Sequence, residues 1–139
     1  MKHIPKWLIW LLSLTWGLPM TLIGAAAALF LYWKAYVPTR IGPCWMFVVG
    51  EGWGGVNLGP VVLVSKSVKN YTIYHEIGHC LQNCVWGPLF PFVIAIPSAI
   101  RYWYREWKTP TTRYDDIWFE GQATRWGVEF MSNEDNNNE

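Results

Sequence analysis

Two of the three histidines in this chain, His75 and His79, enclose the sequence His-Glu-Ile-Gly-His. On an α-helix, residues four positions apart lie one turn apart on the same face, so both imidazoles can bind a single metal ion. Glu76 is then placed to accept a proton from a water that the metal activates, which is the role of a general base. The pattern predicts a Zn²⁺ site that hydrolyses peptide bonds. The alternative is a histidine pair on an ordinary helix, because so short a pattern also arises by chance.

A catalytic zinc site needs a third protein ligand and keeps one position open for water. The remaining histidine, His3, stands before a long apolar segment, so we expect the third ligand to be a carboxylate. Glu120 is the preferred candidate, because the small residues Gly121 and Ala123 beside it would allow two helices to approach closely. The weaker alternatives are Glu106, Asp115 and Glu129.

Further residues could support such a site. Asp116 precedes Glu120 by one helical turn and suits a carboxylate that orients a ligand imidazole. Gln82 follows His79 on the same helix face, where it either contacts the site or is an ordinary solvated glutamine. A group that stabilises the developing oxyanion should also lie beside the metal. The candidates for this role are Tyr104, Arg113, Tyr114 and Arg125.

Helical and strand patterns surround these residues. Apolar side chains recur every four residues from Ile73 to Val85, which predicts a helix over residues 71–85 with Asn70 or Thr72 as its N-cap. Runs at 45–49 and 61–64 are typical of β-strands, either a small hairpin or two strands of a small sheet, and a glycine-rich segment separates them. Residues 114–131 are predicted to form another helix. We therefore expect an α+β fold.

Residues 7–33 contain no charged side chain, and aromatic residues stand at both ends of this block. As a helix it would be about 40 Å long, against about 30 Å for the hydrocarbon core of a bilayer. This predicts a single transmembrane helix that anchors the chain in a lipid bilayer, with a kink near Gly17 and Pro19. A cleaved signal peptide ending near Ala27 and a re-entrant hairpin broken at Pro19 are the alternatives. Basic residues flank both ends, so the side of the membrane on which the rest of the chain lies is left open.

A second uncharged stretch covers residues 85–100 and contains three prolines. It is too short to span a bilayer as a helix, so we expect buried core, with a loop that dips into the membrane as the alternative. The aromatic and basic run at residues 101–108 could lie at a bilayer interface.

Composition limits the remaining classes of function. The chain has 139 residues, of which 52% are apolar, and its formal net charge is +1. No global field is available to bind nucleic acid, so we expect no nucleic-acid partner. We divide the chain into a membrane anchor at 1–36, one small domain at 37–131 and a disordered acidic tail at 132–139. Of the cysteines Cys44, Cys80 and Cys84, the last two share one helix face and are expected to be buried thiols without a disulfide.

The segment from His75 to Gln82, followed by Glu120-Gly121-Gln122-Ala123, resembles the gluzincin class of zincin metallopeptidases. More narrowly, residues 56–128 are similar to small His-Glu-x-Gly-His-x-x-Gln proteins of bacteria and their phages, which share the Gly-Pro-Leu and Ile-Pro-Ser segments found here at 87–89 and 96–98. The resemblance implies a minimal zincin-like domain with His75, His79 and Glu120 as zinc ligands and Glu76 as the base. The chain departs from the better-known gluzincins at Phe119, where they have asparagine.

Together these features predict a membrane-anchored zinc metallopeptidase that acts on a protein or peptide substrate. Two alternatives stay open. One is an intramembrane protease, which the polar residues at 65–70 disfavour because they suit water better than hydrocarbon. The other is a catalytically inactive zinc-binding membrane protein that acts through protein interaction.

Overall fold

The computed structural model describes residues 4–51, 53–66, 68–108 and 118–138, and it confirms the α+β fold. Two apolar helices come first, α1 (Lys6–Leu14) and α2 (Leu18–Trp33). Four strands follow, β1 (Thr39–Ile41), β2 (Cys44–Val48), β3 (Gly55–Leu58) and β4 (Val61–Val64). The remaining helices are α3 (Asn70–Trp86), α4 (Ile96–Lys108) and α5 (Trp118–Asn138). A 3₁₀ turn (Gly87–Leu89) and one π-helical turn (Pro91–Ala95) connect α3 to α4.

The four strands form one mixed sheet in the order β1-β2-β4-β3. Both predicted strands are present, and they pair with each other in parallel, with Trp45 opposite Val61 and Val48 opposite Val64. They are therefore not a hairpin, since antiparallel β3 lies between them in the chain and pairs with β4. Periodicity did not predict β3, because its residues come from the glycine-rich segment. This strand forms the edge of the sheet that faces α3, where the Asn57 side chain donates a hydrogen bond to the main-chain oxygen of Glu76.

Helix α3 agrees with the predicted helix at 71–85 except at its start. The N-cap is Lys69, and no side chain caps the helix, so the prediction of Asn70 or Thr72 as the cap is wrong. Helix α5 packs very closely against α3. A Cβ atom on Gly78 would lie 1.7 Å from the main-chain oxygen of Ala123, and one on Gly127 would lie 1.7 Å from that of Tyr74. Only glycine therefore fits at these crossing points, and Ala123 lies at the contact as the sequence predicted.

The apolar block at 7–33 is two helices instead of one. α1 and α2 meet at 95°, and the break falls beside Gly17, next to the predicted kink. Thr21 stabilises the bend by donating a hydrogen bond from its hydroxyl to the main-chain oxygen of Ser13, at 2.6 Å. Among the described residues, no single helix is long and apolar enough to cross a bilayer. Two bent pairs satisfy the length and composition test together, α1 with α2, and Asn70–Leu89 with Pro91–Tyr104 at 117°.

These first two helices also belong to the hydrophobic core. Ile9 is fully buried in the cluster that contains Val62 and Ile77, while Met20 packs with Phe90. Leu31 contributes to a third cluster on the sheet. Helices α1 and α2 therefore pack against the sheet and α3.

Two other segments differ from their expectations. Helix α5 continues to Asn138, so the backbone is helical through most of the segment that was predicted to be a disordered tail at 132–139. Extending an existing helix requires no new nucleation, which favours its continuation. The stretch at 85–100 is only partly buried core: Phe90 and Ile94 are buried, whereas Phe92 is 71% exposed.

Candidate metal centre

Three buried side chains from two helices converge at one point. His75 and His79 come from consecutive turns of α3, and Glu120 comes from the first turn of α5. One ligand atom from each lies within 4.8 Å of the other two, so the group could hold a metal ion. The Nε2 atoms of His75 and His79 lie 2.8 Å and 3.6 Å from Oε2 of Glu120. Among the described carboxylates, Glu120 belongs to this group and the exposed Glu129 does not.

These spacings fit zinc. Tetrahedral ligands at the bond lengths typical of zinc are separated from one another by about 3.3 Å, midway between the two observed distances. Two imidazole nitrogens and one carboxylate oxygen are also the ligand types of catalytic zinc sites, which leave a fourth position open. The ligand types and their distances are therefore compatible with a bound zinc ion, although they do not identify the metal.

Gln82 determines which nitrogen of His79 faces the centre. Its amide nitrogen donates to the main-chain oxygen of Phe119 at 2.8 Å and to the side-chain oxygen of Gln122 at 3.0 Å. Since a main-chain carbonyl can only accept, the amide oxygen of Gln82 must face His79, where Nδ1 donates to it at 2.7 Å. A neutral His79 then has the lone pair of Nε2 directed at the centre. Gln82 is fully buried, so the alternative of a solvated glutamine is wrong.

Thr124 holds the second imidazole in a similar way. Its hydroxyl lies 2.7 Å from Nδ1 of His75, which leaves Nε2 of that ring facing Glu120. Sequence analysis assigned no role to Thr124, although it stands one helical turn after Glu120 on α5. That spacing is the only signal in the sequence that could have indicated it. Asp116, which was predicted for such a supporting role, lies outside the described residues.

The centre has the electrostatic properties of a cation site. Nδ1 of His79 donates to Gln82, so its Nε2 faces the Glu120 carboxylate at 3.6 Å, where a shared proton or a metal ion would satisfy both groups. Burial alone would raise the pKa of Glu120, but hydrogen bonds to His75 and His79 outweigh it and hold the pKa well below its ordinary value. The second carboxylate oxygen, Oε1, is buried and has no hydrogen-bond partner among the described residues.

Glu76 is buried beside the centre and is not one of its three ligands. Its side chain lines the same pocket as His79, and β3 passes so close that a Cβ on Gly55 would lie 3.2 Å from Cγ of Glu76. Burial raises the pKa of Glu76, and the neighbouring imidazoles offset part of that rise. The pKa of His79 is also raised, because hydrogen bonding to Glu120 and attraction to Glu76 outweigh the lowering by burial. Glu76 is thus a buried carboxyl group with a raised pKa that lies beside the three candidate ligands and lines the pocket.

A pocket of about 490 Å³ opens next to Glu76 and His79. Asn57 on β3 and Ser98 and Tyr102 on α4 provide polar groups to its lining. Tyr102 is a residue that sequence analysis missed, because Tyr104 was named from the same run. Tyr104 does not line the pocket and is exposed.

The other candidates are placed as follows. Arg125 and Glu129 are exposed on α5, and neither belongs to the metal group. The Glu106 side chain and all of Arg113, Tyr114 and Asp115 lie outside the described part of the chain. All three cysteines are free and buried, which confirms the prediction made for Cys80 and Cys84.

Comparisons with known proteins add no information about the function of this site. No family model, no curated protein and no solved structure matches the chain.

Proposed function

We propose that this protein is a zinc-dependent metallopeptidase that is associated with a lipid bilayer. The observation that carries the proposal is the convergence of His75, His79 and Glu120 beside a buried Glu76 that faces a pocket. The resemblance to gluzincins noted in the sequence supports the same assignment of ligands and base.

His75 and His79 would hold zinc through Nε2, and Glu120 would hold it through a carboxylate oxygen. Bound zinc supplies a Lewis acid that lowers the pKa of a coordinated water and polarises a peptide carbonyl. The reaction also needs a group that takes a proton from the attacking water and returns it to the leaving amine. Glu76 fills this role, because its burial raises its affinity for a proton and its side chain lines the pocket.

The unpaired side of the edge strand β3 is evidence in favour of a peptide substrate. β3 pairs with β4 on one side only, and Gly55, Val56, Asn57 and Leu58 all line the pocket. An extended peptide can pair with the main chain of such an edge strand, which would bring its carbonyl groups past the metal ligands.

Association with a bilayer is supported by the outer surface of α1 and α2. Residues 7–33 carry no charge, and Trp7, Leu29 and Trp33 are each at least two-thirds exposed. Exposed apolar residues at this density are typical of surfaces that contact other molecules or lipid. The single-pass topology expected from the sequence stays a prediction.

Metal content and hydrolysis, measured on the same preparations, test the proposal. We expect one zinc per chain in the purified protein, and loss of zinc in His75→Ala and Glu120→Ala. Glu76→Gln should retain zinc and lose peptide hydrolysis by about 100-fold or more, which is the usual range for a general base. Glu129→Gln, an exposed glutamate on the same helix as Glu120, is the matched control and should change neither quantity.

Two results would contradict the proposal. Zinc that stays bound in Glu120→Ala would mean that α5 does not complete the site. Bound zinc with a Glu76→Gln variant that behaves like the wild type in every assay would favour the inactive zinc-binding protein instead.

A further inference from the structure

The described residues that line the pocket beside the metal centre are mainly apolar. Among the residues that the structure describes, Glu76 and His79 are the only ones in the lining with a carboxylate, imidazole, ammonium or guanidinium group. A charged substrate side chain would therefore lose its water inside the pocket without gaining a partner, which is unfavourable. The chemistry of the walls selects an apolar residue.

These walls come from both of the bent apolar helix pairs. Helix α2 of the first pair contributes Met20 and Ile23, and the second pair contributes Ile94 and the inner side of α4, with Phe90 at its break. The edge strand β3 forms the third wall. The pocket is thus the place where the two apolar pairs meet the metal site.

The mouth of the pocket is apolar on its outer side as well. Ile23, Ile96 and Trp103 line the pocket and are also 51%, 50% and 69% exposed. On each helix this exposed stripe continues away from the mouth, to Phe30 seven residues beyond Ile23 on α2, and through Ile100 between Ile96 and Trp103 on α4. A substrate that enters from this side approaches across an apolar surface.

Lipid is the environment that suits this surface. The stripe on α2 belongs to a block without charges, and the first charge after it, Lys34, lies 5.7 Å and 5.0 Å from the rings of Phe30 and Trp33. An aromatic cluster that ends in a lysine is typical of the boundary between hydrocarbon and headgroups. Helix α4 has an exposed apolar stripe and a basic residue, Arg101, as helices that lie in this boundary do.

We propose that the pocket binds an apolar residue of a substrate polypeptide that is itself held in the lipid bilayer, and that this residue enters between α2 and α4. This inference rests on the proposed peptidase function, and it names the class of substrate. Soluble polar peptides would reach the same zinc centre without using the surface between the two helix pairs.

Photo-crosslinking tests the pocket without requiring hydrolysis. The zinc-loaded Glu76→Gln variant would be reconstituted in vesicles of phosphatidylcholine and phosphatidylglycerol. Two peptides with the same benzophenone-bearing apolar residue would be added, one continued by an apolar membrane-spanning segment and the other by a soluble polar segment. We expect at least tenfold more adduct from the bilayer-held peptide at equal total concentration, with the adducts mapping to residues that line the pocket.

A matched pair of variants separates pocket binding from general adhesion. Ala99→Trp places an indole in the pocket and should reduce the adduct at least fivefold. Ala25→Trp makes the same change at an exposed alanine of α2 outside the pocket and should leave the adduct unchanged. Equal adduct from both peptides, or adducts that map away from the pocket, would overturn the inference.

Hydrolysis by the zinc-loaded wild type in the same vesicles distinguishes the two proposals. Faster cleavage of the bilayer-held peptide supports both. Equal cleavage of the two peptides overturns the inference about the substrate and leaves the peptidase function in place. Adduct in the pocket without any cleavage overturns the peptidase function and leaves the pocket as a binding site for bilayer-held polypeptides.

Discussion

The interface between α3 and α5 and the outer surface of α1, α2 and α4 depart from ordinary packing in opposite ways. At the first, polar groups that usually face water are buried, and each imidazole has a partner for its Nδ1 atom. At the second, large apolar side chains that usually lie inside face outward. Burial of a polar group is unfavourable unless it is paired, and exposure of an apolar surface is unfavourable in water. The first departure is what the proposed metal site requires, and the second is what the proposed contact with lipid or an apolar substrate requires.

We expect the largest effect on stability and zinc binding from a substitution that forces α3 and α5 apart. Gly78→Ala places a methyl group 1.7 Å from the main-chain oxygen of Ala123, so α3 and α5 must move apart. We expect the free energy of unfolding to fall by about 3 kcal/mol, at the upper end for an overpacked interior, and zinc affinity to fall with it. Chemical denaturation and zinc titration measure the two effects.

Gly54→Ala is the control for that variant, because a Cβ there meets only Tyr102, at 3.9 Å. A Gly78→Ala protein as stable as the Gly54→Ala protein would show that the close approach of α3 and α5 is not required.

A smaller change should weaken the centre while the fold stays intact. Gln82→Leu removes the acceptor that holds Nδ1 of His79, and Thr124→Val removes the partner of His75. Loss of such supporting hydrogen bonds lowers metal affinity by about 10- to 100-fold. Competition with a zinc chelator measures this loss. Gln122→Ala touches Gln82 but neither histidine, so it should have the smallest effect of the three, and an equal effect would contradict the role assigned to Gln82.

Charges placed on the apolar surface test the second region in isolation. Phe92→Glu, in the π-helical turn that leads into α4, and Ile100→Glu, on α4, alter side chains that are exposed and do not line the pocket. We expect the double variant to bind phosphatidylcholine vesicles about tenfold more weakly in a sedimentation assay, because each charge must leave water to enter the bilayer surface. Its zinc content should match the wild type. Val128→Glu, an exposed apolar position on α5, serves as the control, and a similar loss there would argue against a specific lipid-facing surface.

We expect the smallest effect on stability at the contact between the bend of α1 and α2 and the end of α3. Trp16, between α1 and α2, donates a hydrogen bond from its indole to the main-chain oxygen of Val85 near the end of α3, at 3.1 Å. Trp16→Phe removes this bond and should lower the free energy of unfolding by about 1 kcal/mol. Thermal unfolding measures the change. Stability equal to the wild type would show that the bend between α1 and α2 is held by the Thr21 contact and packing alone.

Local patterns explain which features could be predicted before the structure was known. The helix that carries His75 and His79 depends on residues three and four apart, and the two strands with β-type sequences depend on residues two apart. Strand β3 was missed because its stability comes from pairing with β4 and contact with α3. In the block at 7–33, Gly17 and Pro19 indicated the position of the kink but not its angle of 95°, which the Thr21 hydrogen bond and contacts to α3 stabilise.

By itself, the sequence determined that two imidazoles share one helix face next to a glutamate, and that a long block of the chain carries no charge. Only the tertiary structure decided that Glu120 completes the group and that Gln82 orients His79 through the main chain of Phe119. It also decided that the apolar block folds over the sheet and forms one wall of the pocket. The reason is that spacing along a helix is fixed by its own geometry, whereas contacts between residues about 40 positions apart depend on how closely the glycines at 78 and 127 let two helices pack.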